Sequence, residues 1–478
     1  MEIANILDEA EHVAISAIIL NYFENLKDEQ ACINFKFNIK DIIAIVNEIY
    51  VKEATQFEIP KNILVEMAVS LYQFALNNFT SRSYQQKRVE YIKTYLDTMK
   101  QRTPEWYEAR KGRITTSSWS NAMGEYCDYL CDFNPKDAEN KYIQYIIDKI
   151  DGATFTGNIA TRWGTKYEEI ANMIYEFDNK VKVIEFGLIC HEKYSFLASS
   201  PDGITSDGVM LEIKCPYRGK ISGIPPHKYW VQVQGQLETC DLDRCDFLEC
   251  QLEEYRGETK LEEYFEDNYE GDYTLSNLGK HKGIVADLKC ILKRRNILDK
   301  RTKDQRTEYK YNYAKLGIKR EEFEEFRQET IDMRQKILAE NPQYSEVWVS
   351  FIPWKLIKKS CVSIYRDRVW FNQHALPLLR DFWTQVEHYR KVGTQELRDI
   401  LNPPNKKTIT RRSTRKLKDE DITESVFALD SNSIWTTGGT SNDSDNSSEE
   451  ESDISEIGIS RNKPKNYITH GFNQSVFA

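Results

Sequence analysis

Residues 199–216 read SSPDGITSDGVMLEIKCP, a stretch that predicts a β-hairpin carrying charged side chains. The Asp-Gly pair at 207–208 lies between β-favouring residues, which is a strong signal for a two-residue hairpin turn. A turn there places position 202 opposite position 213, so that Asp202 lies beside Glu212. The hairpin therefore predicts two carboxylates at one end of a pair of strands.

The same hairpin adds a lysine to this pair of acids. Residues two apart in a strand share a face, so Glu212 and Lys214 point the same way while Ile213 points into the core. Two carboxylates this close repel each other and need a compensating cation, and Mg²⁺ prefers carboxylate and water oxygens. A bound metal lowers the pKa of a water and neutralises charge on a phosphate. An ordinary charged surface hairpin is the alternative, because this spacing alone is common.

Two segments that flank the hairpin are predicted helices with further polar groups. The segment 162–175, RWGTKYEEIANMIY, has an apolar stripe with Glu168 at its edge, where a carboxylate can reach a site beneath the helix. The segment 229–237, YWVQVQGQL, buries one side and leaves Gln232 and Gln236 on the neighbouring line. A plain polar helix face is the alternative interpretation of the two glutamines.

A cluster of basic and hydroxyl side chains lies further upstream. The segment 103–117, TPEWYEARKGRITTS, opens with a Thr-Pro pair that is typical of a helix start. It then presents Arg110, Lys111 and Arg113 around a glycine, followed by Thr115, Thr116 and Ser117. Arginines and hydroxyls at an element boundary suit a phosphate group.

Five blocks of sequence between about residues 103 and 250 resemble the YqaJ-type viral recombinase family, whose best known relative is phage lambda exonuclease. In chain order they are EWYEARKGRITTS, RWGTKYEE, EFGLICHEKYSFLASSPDGI, LEIKCP and YWVQVQGQL. That family is part of the PD-(D/E)XK nuclease superfamily. The resemblance implies an α/β fold with a PD-(D/E)XK nuclease core, in which helices flank a mixed central sheet.

The resemblance also implies a role for each matching residue. Two Mg²⁺ ions, for which Mn²⁺ can substitute, would be held by three carboxylates and a backbone carbonyl, those of Asp202, Glu212, Glu168 and Ile213. Lys214 would be the catalytic lysine, acting with Gln232 and with the acids Asp202 and Glu212. The terminal 5′-phosphate of the DNA would be held by Arg110 and Ser117, with Thr115 and Arg113 nearby.

As a function, the resemblance implies a Mg²⁺-dependent exonuclease that digests double-stranded DNA from its ends, with 5′→3′ polarity. The product would be single strands for viral recombination or repair, used with a single-strand annealing protein. A structure-specific DNA endonuclease with the same site is one alternative, and a non-catalytic DNA-binding assembly protein is another. A homo-oligomer is compatible with the resemblance. A ring-shaped trimer does not follow from it, because this chain is longer than the compact relative.

The chain of 478 residues divides into four predicted regions. Residues 1–100 have apolar residues at helical spacing and predict an all-α N-terminal extension. Residues 101–252 are the nuclease core. Residues 253–402 are predicted as a charged helical region, with a long helix at 321–340, plus a closing strand at 346–354 and a closing helix of that domain. Residues 403–478 are rich in Asn, Ser, Thr and charged residues, which predicts a disordered tail.

Composition excludes several classes of protein. A net charge of −10 argues against wholesale electrostatic capture by nucleic acid or membrane, so local patches matter more. No apolar run is long enough to cross a bilayer, and the acidic N-terminus does not read as a signal peptide. The expectation is an intracellular protein without a membrane partner, in the cytoplasm or nucleus of a virus-infected host.

A basic strip at residues 282–320 contains thirteen Lys or Arg against four acidic residues. Tyrosines at 309, 311 and 313 are interleaved with it. Such a strip can follow a phosphate backbone while its rings stack on unpaired bases. A solvated helix face with ordinary core tyrosines is the alternative.

Overall fold

The computed structural model describes residues 13, 15–23, 39–52, 60–80, 82–95, 100–124, 135–152, 158–219, 221–295, 301–302 and 306–402. The predicted disordered tail at 403–478 lies outside the described residues. Among the described residues, no helix is both long enough and apolar enough to cross a membrane.

The N-terminal region is helical wherever it is described. Residues 15–23 form a helix, followed by α1 (Ile39–Lys52), α2 (Lys61–Asn78) and α3 (Arg82–Lys93). The apolar faces of residues 15–23, α1 and α2 form one buried cluster that also includes Tyr365 from the end of the last strand, whereas Val89 and Ile92 of α3 belong to a second cluster. The prediction of an all-α N-terminal extension is confirmed for these residues, and the shared cluster packs it directly against the sheet.

The fold is α/β, as predicted, and its main sheet has seven strands in the order β2-β5-β6-β7-β10-β8-β9. β6 and β7 run parallel and the other neighbours are antiparallel, so the sheet is mixed. A smaller sheet has the order β1-β4-β3. The strands are β1 (Ile114–Thr115), β2 (Val183–Ile184), β3 (Ile189–Cys190), β4 (Leu197–Ser199), β5 (Gly203–Thr205), β6 (Val209–Lys214), β7 (Arg244–Glu254), β8 (Lys282–Leu292), β9 (Thr307–Tyr313) and β10 (Tyr344–Tyr365).

Helices cover both faces of this sheet. The remaining helices are α4 (Pro104–Lys111), α5 (Trp119–Met123), α6 (Pro135–Asp151), α7 (Ile159–Asn179), α8 (His227–Cys240), α9 (Lys260–Glu266), α10 (Arg320–Glu340), α11 (Arg368–Trp370), α12 (Leu376–Val392) and α13 (Gln395–Leu401). The apolar stripe of α7 packs on one face of β6 and β7, and that of α8 packs on the other. The strands that carry the acids are thus held between two helices, α7 with Glu168 and α8 with Gln232.

The register predicted for the β5–β6 hairpin is wrong by one residue. Gly203 pairs with Leu211, so three residues, 206–208, connect the strands instead of two. The hydroxyl of Thr205 accepts a hydrogen bond from the amide of Val209 at 3.1 Å, which holds the wider turn. In this register position 202 is level with 212 and not with 213, so the predicted proximity of the two acids survives.

The charged region after residue 253 is less helical than predicted. The helix predicted at 321–340 is present as α10. However, the basic strip contains two strands, β8 and β9. In its described residues it does not form the helix face that was the alternative to nucleic-acid binding. The closing strand predicted at 346–354 is the first half of β10, which continues to Tyr365. β8 was missed because it is buried on both faces, so it lacks the alternation that marks a half-exposed strand.

Gly235 allows α8 to approach the turn that follows β1. A Cβ at this position would lie 2.8 Å from Thr116 Cγ2 and 2.9 Å from the ring of Trp119. We therefore expect Gly235→Ala to lower the free energy of unfolding by about 1–3 kcal/mol, the usual cost of overpacking. Urea denaturation measures this change.

The matched control is Gly164→Ala in α7, where a Cβ would meet nothing within 4 Å. This substitution should raise the stability by roughly 0.5–1 kcal/mol, because alanine is the better helix former. Equal effects of the two substitutions would contradict the close approach at Gly235.

Candidate active site

The end of the β5–β6 hairpin fixes the first acid. Asp202 immediately precedes β5, and its Oδ2 accepts a hydrogen bond from the backbone amide of Ile213 at 2.7 Å. The same amide–carboxylate bond draws the aspartate towards β6, where Glu212 and Lys214 extend. Asp202 and Glu212 are thereby brought together, as the sequence predicts.

Glu212 is the centre of a hydrogen-bonded network. Its side chain is only 1% exposed, and both carboxylate oxygens accept hydrogen bonds from amides on α8. Gln232 Nε2 donates to Oε1 and Gln236 Nε2 donates to Oε2, each at 2.7 Å. The Lys214 ammonium forms an ion pair with Oε1. Gln236 was predicted only as part of a helix face, and its spacing of one turn from Gln232 was the signal for this contact.

The Lys214 ammonium is partly buried and remains strongly basic. Its Nζ lies over the ring of Tyr229, 4.8 Å from the ring centroid. Burial alone lowers the pKa of Lys214, but the charges of Glu212 and Asp202 outweigh this effect and raise the pKa above its usual value. Lys214 is therefore a cation at neutral pH.

Glu168 on α7 joins the acids from the other face of the sheet. Burial raises its pKa, the neighbouring charge of Arg102 lowers it, and that of Glu212 raises it, with a net increase. Arg102 Nη2 donates to both Glu168 oxygens, at 3.0 and 3.3 Å. Sequence analysis missed Arg102, and no spacing or motif connects it with a glutamate 66 residues away.

The three acids repel one another. Burial raises the pKa of Asp202 well above its ordinary value, and the charges of Glu212 and Glu168 raise it further. Carboxylate oxygens are the donors that Mg²⁺ prefers, and a cation would relieve this repulsion, so the donor set fits a divalent metal. Within the described ranges, however, no three His, Cys, Asp or Glu side chains are already arranged as metal ligands.

The predicted phosphate-binding residues lie between α4 and the turn after β1. The Arg110 guanidinium stacks on the ring of Trp106 at 4.1 Å and donates to Thr115 Oγ1 at 3.2 Å. Ser117 is exposed in the next turn. Arg113 differs, because its Nη1 donates to the backbone oxygen of Ala109 at 3.0 Å. The structure thus brings Arg110 and Thr115 together and directs Arg113 towards the backbone of α4.

A hydrogen bond joins this basic cluster to the segment that carries Asp202. Trp106 Nε1 donates to Ser200 Oγ at 3.0 Å, two residues before Asp202. Lys149 on α6 was not predicted, although it donates to the backbone oxygens of Arg110 and Arg113 at 2.7 and 2.5 Å. Burial, followed by the charge of Arg110, lowers the pKa of Lys149 to about 7. Lys149 therefore supports the backbone around the two arginines.

Comparison with known proteins identifies the part of the chain that contains this site. An uncharacterized protein of Acanthamoeba polyphaga mimivirus is 30% identical over 335 residues, which cover 64% of this chain and 57% of the relative. The chain thus spans little more than half the length of that relative.

Two solved structures show a weaker likeness. The alkaline exonuclease of Laribacter hongkongensis is 17% identical, with 62% of this chain and 100% of that chain covered and a TM-score of 0.33. A phage-related exonuclease of Haemophilus somnus 129PT is 13% identical, with 60% and 96% covered and a TM-score of 0.27. At these scores the likeness establishes neither fold nor activity.

The family comparison is more specific, because it matches residues 105–243 and so includes Arg110, Glu168, Asp202, Glu212 and Gln232. The matched segment runs from the start of α4 to the start of β7. It agrees with the predicted resemblance in both position and extent. Residues 105–243 of this chain match the model of the YqaJ-like viral recombinase domain.

Proposed function

We propose that this chain is a DNA exonuclease that depends on a divalent metal and digests one strand of linear duplex DNA from an end. The observation that carries the proposal is the network of Asp202, Glu212, Lys214 and Gln232 inside the recombinase domain. An acid such as Asp202, whose pKa is raised by burial and by neighbouring carboxylates, with a lysine held nearby, is typical of a hydrolytic centre. A purely structural ion pair would need only Glu212 and Lys214.

Some residues of the site would bind the metal, and Lys214 would contact the phosphate or the attacking water. Asp202, Glu212, Glu168 and the carbonyl of Ile213 would hold Mg²⁺, with two ions expected and Mn²⁺ as a substitute. When bound, such a cation supplies charge neutralisation at the phosphate and acidifies a water. Lys214, whose ammonium pairs with Glu212, would orient the attacking water or stabilise negative charge on the phosphate.

Arg110 and its neighbours support a preference for DNA ends. A guanidinium fixed by a ring on one side and a hydroxyl on the other is ordered before a ligand arrives. Arg110, Thr115 and Ser117, with Arg113 behind them, would hold a terminal 5′-phosphate, which sets a 5′→3′ polarity. A single-strand annealing protein would take up the product, and a homo-oligomer would keep the enzyme on its substrate.

The proposal is tested by digestion of linear duplex DNA carrying a 5′-phosphate, in Mg²⁺ or in EDTA. We expect loss of one strand in Mg²⁺ alone, and Lys214→Ala should slow it by about a hundredfold or more, the usual contribution of a catalytic side chain. A matched control is Lys336→Ala, an exposed lysine paired with Glu340 on α10. It should digest DNA at the unsubstituted rate.

A supercoiled circular substrate separates the alternatives. An exonuclease leaves the circle intact, and an endonuclease with the same site nicks it. A protein that binds linear DNA in Mg²⁺ and never cuts it would exclude both enzymes and favour the DNA-binding assembly protein.

A further inference from the structure

In the half of the sheet formed by β10, β8 and β9, a helix covers one face. The other face is covered only in part. On the covered face, Leu288, Val347 and neighbouring apolar residues pack against Phe323 and Phe326 of α10. On the opposite face, α7 packs over the part that includes Val285. The tyrosines of β9 at 311 and 313 are only partly buried against the same cluster. Beyond that cluster the face carries aromatic and cationic side chains.

These side chains form a row across three strands. Trp348 of β10 pairs in register with Lys289 of β8, which pairs in register with Tyr309 of β9. Register partners share a face of the sheet, so the indole, the ammonium and the phenol lie side by side. Trp348 is 58% exposed and Lys289 is also exposed, although buried neighbours surround Lys289 in its strand.

A fourth side chain extends the row towards the candidate active site. Arg162 on α7 donates from Nη1 to Tyr309 Oη at 2.6 Å, and its guanidinium lies 4.9 Å from the centroid of that ring. Arg162 is six residues before Glu168 on the same helix. We refer to Trp348, Lys289, Tyr309 and Arg162 as the aromatic row, in which rings alternate with cations.

Two acidic groups lie next to the aromatic row, and cations surround the second of them. The carboxylate of Glu346 accepts a hydrogen bond from Trp348 Nε1 at 2.7 Å, which fixes the indole. Asp287 is two residues from Lys289 and is buried beneath the tyrosines. Burial raises the pKa of Asp287, whereas the charges of Lys166, Lys289 and Arg162 around this carboxylate act to lower it.

We propose that the aromatic row binds single-stranded DNA, with bases stacked on Trp348 and Tyr309 and phosphates contacting Lys289 and Arg162. Rings alternating with cations match unpaired bases alternating with phosphates, whereas duplex DNA keeps its base faces stacked inside. The proposal that a single strand is present rests on the proposed exonuclease activity, because digestion of one strand leaves its complement unpaired. Binding itself requires no digestion.

The test is fluorescence anisotropy of the full chain with a labelled single strand of about 20 nucleotides, longer than one ordinary binding site. EDTA in the buffer prevents digestion. Trp348→Ala should weaken binding by about tenfold, within the range that loss of one stacked base produces. Trp348→Phe should recover most of the affinity. Lys289→Gln should reduce the slope of log affinity against log salt by about 0.7, the value for one phosphate contact on a single strand.

The matched control is Tyr91→Ala, which removes an exposed ring that stacks with Arg88 on α3. It should leave single-strand affinity unchanged. Unchanged affinity of Trp348→Ala would overturn the proposal, and so would an equal loss on blunt duplex DNA. If the chain never cuts DNA but binds single strands through Trp348, the exonuclease fails while the aromatic row stands.

Discussion

Asp202→Asn is expected to lower DNA digestion by about three orders of magnitude and, at the same time, to stabilise the metal-free protein. Loss of one metal-binding carboxylate removes several kcal/mol of transition-state stabilisation, and each 1.36 kcal/mol is about a tenfold change in rate. In the metal-free protein the same carboxylate is repelled by Glu212 and Glu168. The amide keeps the shape and removes the charge.

The stability effect of Asp202 has a defined dependence on pH. Its pKa in the folded protein is raised well above the ordinary value, by burial first and by the two acids next. An acid with a raised folded pKa destabilises the fold as pH rises through and above its unfolded pKa. We therefore expect the unfolding temperature in EDTA to fall as pH rises above about 4, and to fall less for Asp202→Asn.

The control for this pair of measurements is Asp207→Asn in the hairpin turn. Asp207 is 44% exposed, and its ion pair with Arg82 is at the surface, where such pairs contribute at most about 1 kcal/mol. It should digest DNA normally and unfold within a few degrees of the unsubstituted chain. An Asp202→Asn protein that digests DNA at the normal rate would exclude Asp202 from the site.

The local sequence pattern correctly predicts that the two acids lie close together. It misplaces only the register of the hairpin, by one residue. The β-favouring flanks and the Asp-Gly pair between them predict that Asp202 and Glu212 come together, because both signals act over a few residues. The wider turn depends on the Thr205 hydroxyl, which competes with the backbone for the amide of Val209. A single side-chain hydrogen bond of this kind does not change the hydrophobic pattern.

Contacts between distant segments could not be predicted from the sequence. The ion pair of Arg102 with Glu168 and the support of Arg110 by Lys149 each join different helices. β9 is different, because tyrosines at every second position are themselves a strand signal. Its charge obscured that signal, since Glu308 and Lys310 occupy the alternate positions and resemble a solvated helix.

Glu212→Ala is expected to lower the free energy of unfolding by about 3–5 kcal/mol, the usual result of removing one partner from a buried ion pair. Lys214 would be left without its main counter-charge, and the amides of Gln232 and Gln236 would lose their shared acceptor. The loss is opposite in sign to the effect of Asp202→Asn, although both substitutions remove an acid. The difference arises because three side-chain donors bond directly to Glu212, whereas Asp202 accepts a hydrogen bond from one backbone amide and is otherwise favoured only by the charge of Lys214.

Urea denaturation in EDTA measures the two free energies under the same conditions. Glu108→Ala is the control, since Glu108 is 73% exposed and its pair with Lys111 should contribute at most about 1 kcal/mol. If Glu212→Ala unfolds at the same urea concentration as the unsubstituted chain, the network does not hold the site together. If both acids stabilise or both destabilise the fold, the electrostatic contrast between them is wrong. Opposite signs would identify Glu212 as the structural anchor of the site and Asp202 as the group held at a cost in stability for its function.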